Sequence, residues 1–240
     1  MIKLQLFGRK GSKYRKPTFP FALPRAIPEL NPYVDGPDNH SAFSSTGMSL
    51  TFDSEVSQFV LDTYREHSCI LEYGSGGSTV SAAKMEGKTI ICVESDPIWL
   101  CRLNTYLQKI KPPSPPITIH IDIGATVRWG YPADAKNWEK YPFYPLEVWR
   151  YLHSTNLTPD VVLIDGRFRA ACFIATVCNI RKRTRVLFDD YEHRDYKSII
   201  ERFYRPDFFV NKMAVFDVSS APPNNMWNQG ELQRAFYDPH

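Results

Sequence analysis

Residues 70–79 read ILEYGSGGST, and this stretch decides the fold. An apolar run of strand length leads directly into a turn with three glycines, and a segment of small residues follows. Glycines allow the backbone to turn sharply and to approach a ligand closely, while the start of the following helix offers unpaired N–H groups. The stretch therefore predicts a strand, a ligand-binding glycine loop and a helix.

Apolar runs typical of buried strands recur along the rest of the chain. We predict strands at 70–73, 89–94, 117–121, 161–165 and 186–188, with helical patterns between most of them. This alternation indicates βαβ units, that is, a parallel sheet with helices on both faces. The first helix is expected to begin near Thr51 or Ser54, since either residue can cap it.

The last part of the chain has a different pattern. Two further strands, 208–218 and 232–237, are predicted to flank a turn formed by Pro-Pro-Asn-Asn at 222–225. Because the two strands of a hairpin run antiparallel, the sheet should contain one reversed strand.

The composition excludes several classes of protein. The chain has 240 residues with 29 basic and 26 acidic side chains, which give a formal net charge of +3. No apolar run approaches the roughly 18 residues of a membrane-spanning helix, so no membrane span is predicted. The five cysteines include no C-x-x-C pair. This disfavours a disulfide scaffold and a zinc-thiolate site, and it favours a reducing, cytoplasmic location.

The amino-terminal part is basic and rich in proline. Residues 1–28 hold seven basic residues and no acid, and six of the 19 prolines fall within the first 40 positions. We therefore predict an extended arm over 1–48 and a globular domain over 49–240. The acid-free arm leaves an organellar transit peptide open as an alternative. The mildly acidic body disfavours nucleic-acid binding, which needs a clustered cationic face.

Two acidic residues near the glycine loop indicate the ligand. Glu94 ends the second strand, 20 residues after Gly74, where a carboxylate can accept both hydroxyls of a ribose. Glu72 lies two residues before Gly74, which is unfavourable beside a pyrophosphate and suits a ligand with an ammonium group. An NAD-dependent oxidoreductase is disfavoured, since Thr79 stands where the last glycine of that fingerprint belongs.

The pattern Glu72-x-Gly74-x-Gly76-Gly77, with Glu94 and Asp122 at the next two strand ends, resembles the first three motifs of class I S-adenosylmethionine-dependent methyltransferases. The resemblance covers roughly residues 50–240. It implies a Rossmann-like α/β three-layer sandwich with a mostly parallel seven-stranded sheet, order 3-2-1-4-5-7-6, a reversed last strand and helices on both faces.

The resemblance also implies a function. The chain would use S-adenosyl-L-methionine to methylate an oxygen or nitrogen of a small or medium polar acceptor. The alternative is a catalytically silent domain that binds the cofactor or its product as a sensor or interaction module. Glu72 and the glycine loop would hold the methionine part, Glu94 the ribose and Asp122 the adenine amino group. The implied cofactor-binding residues are Glu72, Gly74, Ser75, Gly76, Gly77, Ser78, Thr79, Glu94, Ser95, Asp122, Trp129 and Asp165.

Three carboxylates follow the predicted strands four and five. Asp165 ends the first of these strands, and Asp189 and Asp190 end the second. Neighbouring strands lie about 4.8 Å apart, so these acids need a cation, an arginine or a retained proton. The candidates are a divalent metal such as Mg²⁺, bound by Asp165, Asp189 and Asp190, or pairing with Arg167 and Arg169.

The spacing of these acids is similar to that of metal-dependent catechol-type O-methyltransferases, although Asp190 replaces the asparagine of that pattern. Asp190 alternatively caps a helix predicted over 192–204. His193 in this helix is a candidate proton acceptor. The predicted catalytic residues are Asp165, Arg167, Asp189 and His193.

The segment 123–158 is long for a connection between strands. Positions 129–151 carry eight aromatic residues, including Trp129, which could flank the adenine ring. We expect this insertion to form either a wall over the cofactor and substrate or a cap on the sheet.

Overall fold

Strands and helices alternate through most of the chain. The computed structural model describes residues 43–44, 47–192, 196–219 and 227–240. The elements are β1 (Phe43–Ser44), β2 (Gly47–Met48), α1 (Ser54–Glu66), β3 (Cys69–Tyr73), α2 (Gly77–Ala83), β4 (Thr89–Glu94), α3 (Pro97–Ile110), β5 (Ile117–His120), α4 (Phe143–Ser154), β6 (Val161–Ile164), α5 (Arg169–Asn179), β7 (Thr184–Phe188), α6 (Lys197–Ile200), β8 (Phe208–Val210), β9 (Met213–Val218) and α7 (Gln229–Tyr237). Most of the predicted arm lies outside the described residues.

Seven strands form a single sheet in the order β5-β4-β3-β6-β7-β9-β8. The pairs from β5 through β7 are parallel, and β9 runs antiparallel to both β7 and β8. Counted along the chain within this sheet, the order is 3-2-1-4-5-7-6 with the seventh strand reversed. The predicted fold class is confirmed.

Helices cover both faces of this sheet. In β3, Leu71 and Tyr73 face a buried cluster that includes α4 and α5, while Ile70 faces a second cluster with α1, α2 and α3. The Tyr73 hydroxyl donates to the carbonyl of Pro145 (2.7 Å) and accepts from Trp149 Nε1 (2.8 Å), which ties α4 to β3. Within the described residues, no helix is long and apolar enough to cross a bilayer.

The prediction for the carboxyl-terminal strands is wrong in detail. The hairpin lies within 208–218, where β8 and β9 are joined at Asn211 and Lys212. Asn211 has a φ of 49°, a left-handed conformation that asparagine tolerates in tight turns. Residues 232–237 are helical, because Asn228 and Glu231 form a capping box that starts α7. The turn predicted at 222–225 lies outside the described residues.

Two further local predictions need correction. The long helix expected over 192–204 is replaced by the short α6, with residues 193–195 not described. The cap position of α6 is Tyr196, six residues after Asp190, so Asp190 does not cap that helix. At α1 the cap is Asp53 rather than Thr51 or Ser54, since its carboxylate accepts from the Val56 N–H (2.9 Å).

Candidate active site

A cavity of about 570 Å³ lies at the carboxyl ends of β3, β4, β6 and β7. Open α/β sheets bind ligands in this position. Its wall contains the glycine loop 74–78, the ends of β4, β6 and β7, the segment 48–53 and residues 128–131 of the aromatic insertion. The predicted residues that line it are Gly74, Ser75, Gly76, Gly77, Ser78, Glu94, Ser95, Trp129, Asp165, Arg167, Asp189 and Asp190.

Close backbone approaches shape the glycine loop. Gly74 has a φ of 97°, a conformation that favours glycine. A Cβ on Gly77 would overlap the carbonyl of Ser49, so the segment before α1 lies directly on the loop. A Cβ on Gly166 would overlap the Tyr144 hydroxyl and approach the Gly74 nitrogen to 2.8 Å. The backbone after β6 therefore packs against the loop from the other side.

We expect Gly166→Ala to lower the free energy of unfolding by at least about 1 kcal/mol, because the added methyl group meets backbone as well as the Tyr144 hydroxyl. Chemical denaturation of the purified variant measures this change. Gly230→Ala is the matched control, since its Cβ would meet nothing closer than 3.4 Å. Equal midpoints for the two variants would show that the contact between the two loops is loose.

Glu94 presents a buried carboxylate to the cavity. Its Oε1 accepts from the N–H groups of Ser95 (2.8 Å) and Asp96 (3.0 Å), and its Oε2 accepts from the Ser75 hydroxyl (2.9 Å). Burial raises the pKa of Glu94, while these hydrogen bonds oppose the rise. The carboxylate is thus held beside the glycine loop, where a ribose was predicted.

Three of the predicted cofactor residues do not line the cavity. Glu72 is fully buried and accepts from the hydroxyls of Tyr64 (2.6 Å) and Thr79. The Thr79 hydroxyl accepts in turn from the Gly76 N–H (3.0 Å). Glu72 and Thr79 therefore support the loop from the side opposite the cavity, and their contact with a cofactor stays a prediction.

Asp122 is the third of these residues. Its carboxylate accepts from Lys140 Nζ (2.6 Å) and from the Gly124 N–H (2.8 Å), and these hydrogen bonds lower its pKa. It is solvent-exposed and is not among the residues that line the cavity, so its contact with adenine stays a prediction.

The aromatic insertion divides between the two predicted roles. Trp129 is 51% exposed and lines the cavity, and the Tyr131 ring lies 4.0 Å from the guanidinium of Arg167. The Ser95 hydroxyl donates to the carbonyl of Gly130 (3.1 Å), which fixes this part of the insertion beside Glu94. The later part forms α4, and its Trp149 packs in the core. The insertion is thus a cavity wall at its start and a cap on the sheet at its end.

The three carboxylates after β6 and β7 meet around one arginine. Arg169 Nη2 lies 3.0 Å from Asp165 Oδ1, and Nη1 lies 3.7 Å from Asp189 Oδ2 and 3.6 Å from Asp190 Oδ2. Burial raises the pKa of both Asp165 and Asp189, and the neighbouring Asp165 charge raises the pKa of Asp189 further. Of the two arginines proposed from the sequence, Arg169 therefore pairs with the acids.

The predicted metal site does not fit this arrangement. The guanidinium of Arg169 lies among the three predicted ligands, Asp165, Asp189 and Asp190. In the part of the chain that the structure describes, no group of three or more His, Cys, Asp or Glu side chains is arranged to hold a metal ion. His193, the remaining predicted catalytic residue, lies outside the described residues.

Several lining residues were missed by the sequence analysis. Lys212 reaches the cavity from the β8–β9 turn, and Ser49, Leu50 and Phe52 reach it from the segment before α1. These positions depend on tertiary packing, and no local motif marks them. Tyr144, an aromatic residue of the insertion 123–158, lines the cavity from α4.

Comparison with known proteins identifies a relative among the solved structures. No protein-family model and no curated protein matches the sequence. Among solved structures, a methyltransferase-like protein from Silicibacter pomeroyi is 37% identical, with a TM-score of 0.73 over 80% of this chain and 98% of that chain.

More distant matches include two O-methyltransferases. One is TomG from Streptomyces achromogenes, in complex with S-adenosylmethionine, at 11% identity and TM-score 0.46 over 71% and 82% of the two chains. Another is an O-methyltransferase from Bacillus cereus, in complex with S-adenosylhomocysteine, at 12% identity and TM-score 0.44 over 73% and 83%.

Proposed function

Because the chain belongs to the class I S-adenosylmethionine-dependent methyltransferase family, we propose that it binds S-adenosylmethionine in this cavity and methylates an oxygen or nitrogen of a small or medium polar acceptor. The observation that carries the proposal is the buried carboxylate of Glu94, which faces the cavity beside the glycine loop. A carboxylate after the second strand of such a sheet can accept hydrogen bonds from both ribose hydroxyls.

We assign the other cofactor contacts to further residues that line the cavity. Backbone N–H groups of the loop 74–78 are proposed to bind the methionine part, since the glycines let it approach closely. The exposed face of Trp129 offers a stacking surface for the adenine ring. The domain is then 49–240, with the insertion 123–158 contributing directly to the site.

The cofactor supplies an activated methyl group on a sulfonium sulfur. The chain itself must position the acceptor in line with that methyl group. It must also take up the one proton that the acceptor's oxygen or nitrogen loses. We assign the proton to the pair Asp165 and Asp189, because both carboxyls line the cavity and burial raises the pKa of each above its usual value. Tyr131, whose ring lies against the Arg167 guanidinium, also lines the cavity and would offer its hydroxyl to the acceptor.

A second candidate function is cofactor binding without turnover. It is favoured by the pairing of all three acids with Arg169, since a structural ion pair would also explain why they face each other. Such a protein would bind S-adenosylmethionine or its demethylated product and act as a sensor or interaction module.

Calorimetry with S-adenosylmethionine, S-adenosylhomocysteine and NAD tests the cofactor assignment. We expect both sulfur compounds to bind at one site per chain and NAD to bind more weakly. Tighter binding of NAD would refute the proposal. The two candidate functions are then separated by incubating the protein with S-adenosylmethionine and phenolic, catecholic or amine acceptors. Formation of S-adenosylhomocysteine supports the enzyme, whereas binding without turnover of any acceptor supports the sensor.

A further inference from the structure

We propose that Arg169 supplies from within the chain the positive charge that a divalent metal ion would otherwise bring to Asp165, Asp189 and Asp190, so that the reaction needs no metal. This inference rests on the proposed methyl transfer and names Arg169 as a positioning residue of that site.

The guanidinium occupies the space between the acids. It lies within 3.0 to 3.7 Å of one carboxylate oxygen from each of Asp165, Asp189 and Asp190. A hard divalent cation binds carboxylate oxygens at about 2.0–2.6 Å, so it would have to lie between the same oxygens. Two cations cannot share this position without strong repulsion. Metal binding would therefore require Arg169 to leave.

Arg169 is fixed in place by hydrogen bonds that do not involve the acidic side chains. Its side chain is only 4% exposed. Its Nε donates to the carbonyl of Gly166 (3.0 Å), and its Nη atoms donate to the carbonyls of Asp165 (3.1 Å) and Asp189 (2.6 Å). Moving the side chain would leave these three carbonyls without this donor. Each carbonyl that stays buried and unpaired would then lower the free energy of unfolding. The guanidinium thus links the ends of β6 and β7.

The charges at this end of the cavity balance without a metal ion. Three carboxylates, Asp165, Asp189 and Asp190, line it together with three cationic side chains, Arg167, Arg169 and Lys212. A divalent metal is attracted to a site by an excess of carboxylate charge, and these six side chains provide none. The guanidinium can hold the acids in a fixed orientation, which positioning of an acceptor requires.

The first experiment uses the wild-type protein. Mn²⁺ is titrated into it with detection by electron paramagnetic resonance, with and without S-adenosylmethionine. We expect no stoichiometric Mn²⁺ binding, and we expect EDTA to leave cofactor affinity and turnover unchanged. Stoichiometric Mn²⁺ binding together with loss of turnover in EDTA would overturn the inference. If the cofactor fails to bind under all conditions, the proposed function fails, while the Mn²⁺ titration still tests the inference about Arg169.

The second experiment uses Arg169→Met. Removing the guanidinium frees the three carboxylates, so we expect Mn²⁺ affinity to rise by at least about tenfold, which corresponds to 1.4 kcal/mol. A purely structural arginine outside a cation site would give no such gain. Arg183→Met is the matched control, because Arg183 pairs with Asp217 and is 73% exposed. An equal response of the two variants would contradict the inference, and the wild-type titration decides the question if Arg169→Met does not fold.

Discussion

Replacing Arg169 with methionine is expected to lower the free energy of unfolding by about 3–5 kcal/mol, the scale for removing one partner of a buried ion pair. The guanidinium is almost completely buried, and it donates to three carbonyls as well as to Asp165. Methionine fills much of the same volume but cannot donate to these carbonyls or to the Asp165 carboxylate. Urea denaturation at neutral pH measures the loss.

The pH dependence of this loss in the free energy of unfolding distinguishes the effect of the missing charge from the effect of poorer packing. Burial raises the pKa of Asp165 and Asp189 above the usual value, so the folded protein favours their protonated forms. Each acid therefore contributes most to the free energy of unfolding at low pH, and this contribution falls as the pH rises through its folded-state pKa. Without the guanidinium their pKa should rise further. The difference between variant and wild type is therefore expected to be smallest in acid and to grow toward neutral pH. A difference that stays constant with pH would indicate a packing defect alone.

The matched control for the stability measurement is Arg183→Met. Arg183 lies 3.1 Å from Asp217 at the surface, and exposed ion pairs contribute about 0–1 kcal/mol. A loss at Arg169 no larger than the loss at Arg183 would show that the guanidinium does not hold the ends of β6 and β7 together.

The fold could be predicted where local pattern and tertiary structure agree. The strand β3, the glycine loop and α2 follow from an apolar run, a turn and a small-residue helix within residues 70–83. The segment 232–237 was assigned to a strand, because short apolar runs do not distinguish strand from helix. The capping box of Asn228 and Glu231 is the local sequence signal that distinguishes the helix α7 from a strand here.

The candidate site was less predictable than the fold, because the orientation of its acidic and basic side chains depends on partners from distant segments of the chain. Glu72 and Glu94 both lie in strands next to the glycine loop, yet only Glu94 faces the cavity. Glu72 is turned toward Tyr64, a partner that α1 supplies, and no spacing rule within the motif reveals this. In the same way, the choice of Arg169 over Arg167 as the partner of the acids depends on how α5 begins.

Replacing Glu94 with alanine is expected to weaken binding of S-adenosylmethionine by about 1–3 kcal/mol, the scale for losing a charged hydrogen-bond acceptor. The carboxylate faces the cavity at the proposed ribose position, and alanine cannot accept from the ribose hydroxyls. Calorimetry measures the change, and a denaturation curve of the same preparation establishes that the variant is folded. Glu94→Gln keeps the length and one acceptor oxygen, so its affinity should lie between those of wild type and Glu94→Ala.

Asp122→Asn is the informative comparison for Glu94, because the two acids end neighbouring strands and only one of them lines the cavity. The Asp122 carboxylate is occupied by Lys140 and the Gly124 N–H, so this variant should bind the cofactor with unchanged affinity. If instead Asp122→Asn weakens binding and Glu94→Ala does not, the nucleoside lies nearer β5 than the cavity wall indicates. Equal losses at both positions would restore the adenine contact first predicted for Asp122. A loss confined to Glu94 places the ribose between β4 and the glycine loop.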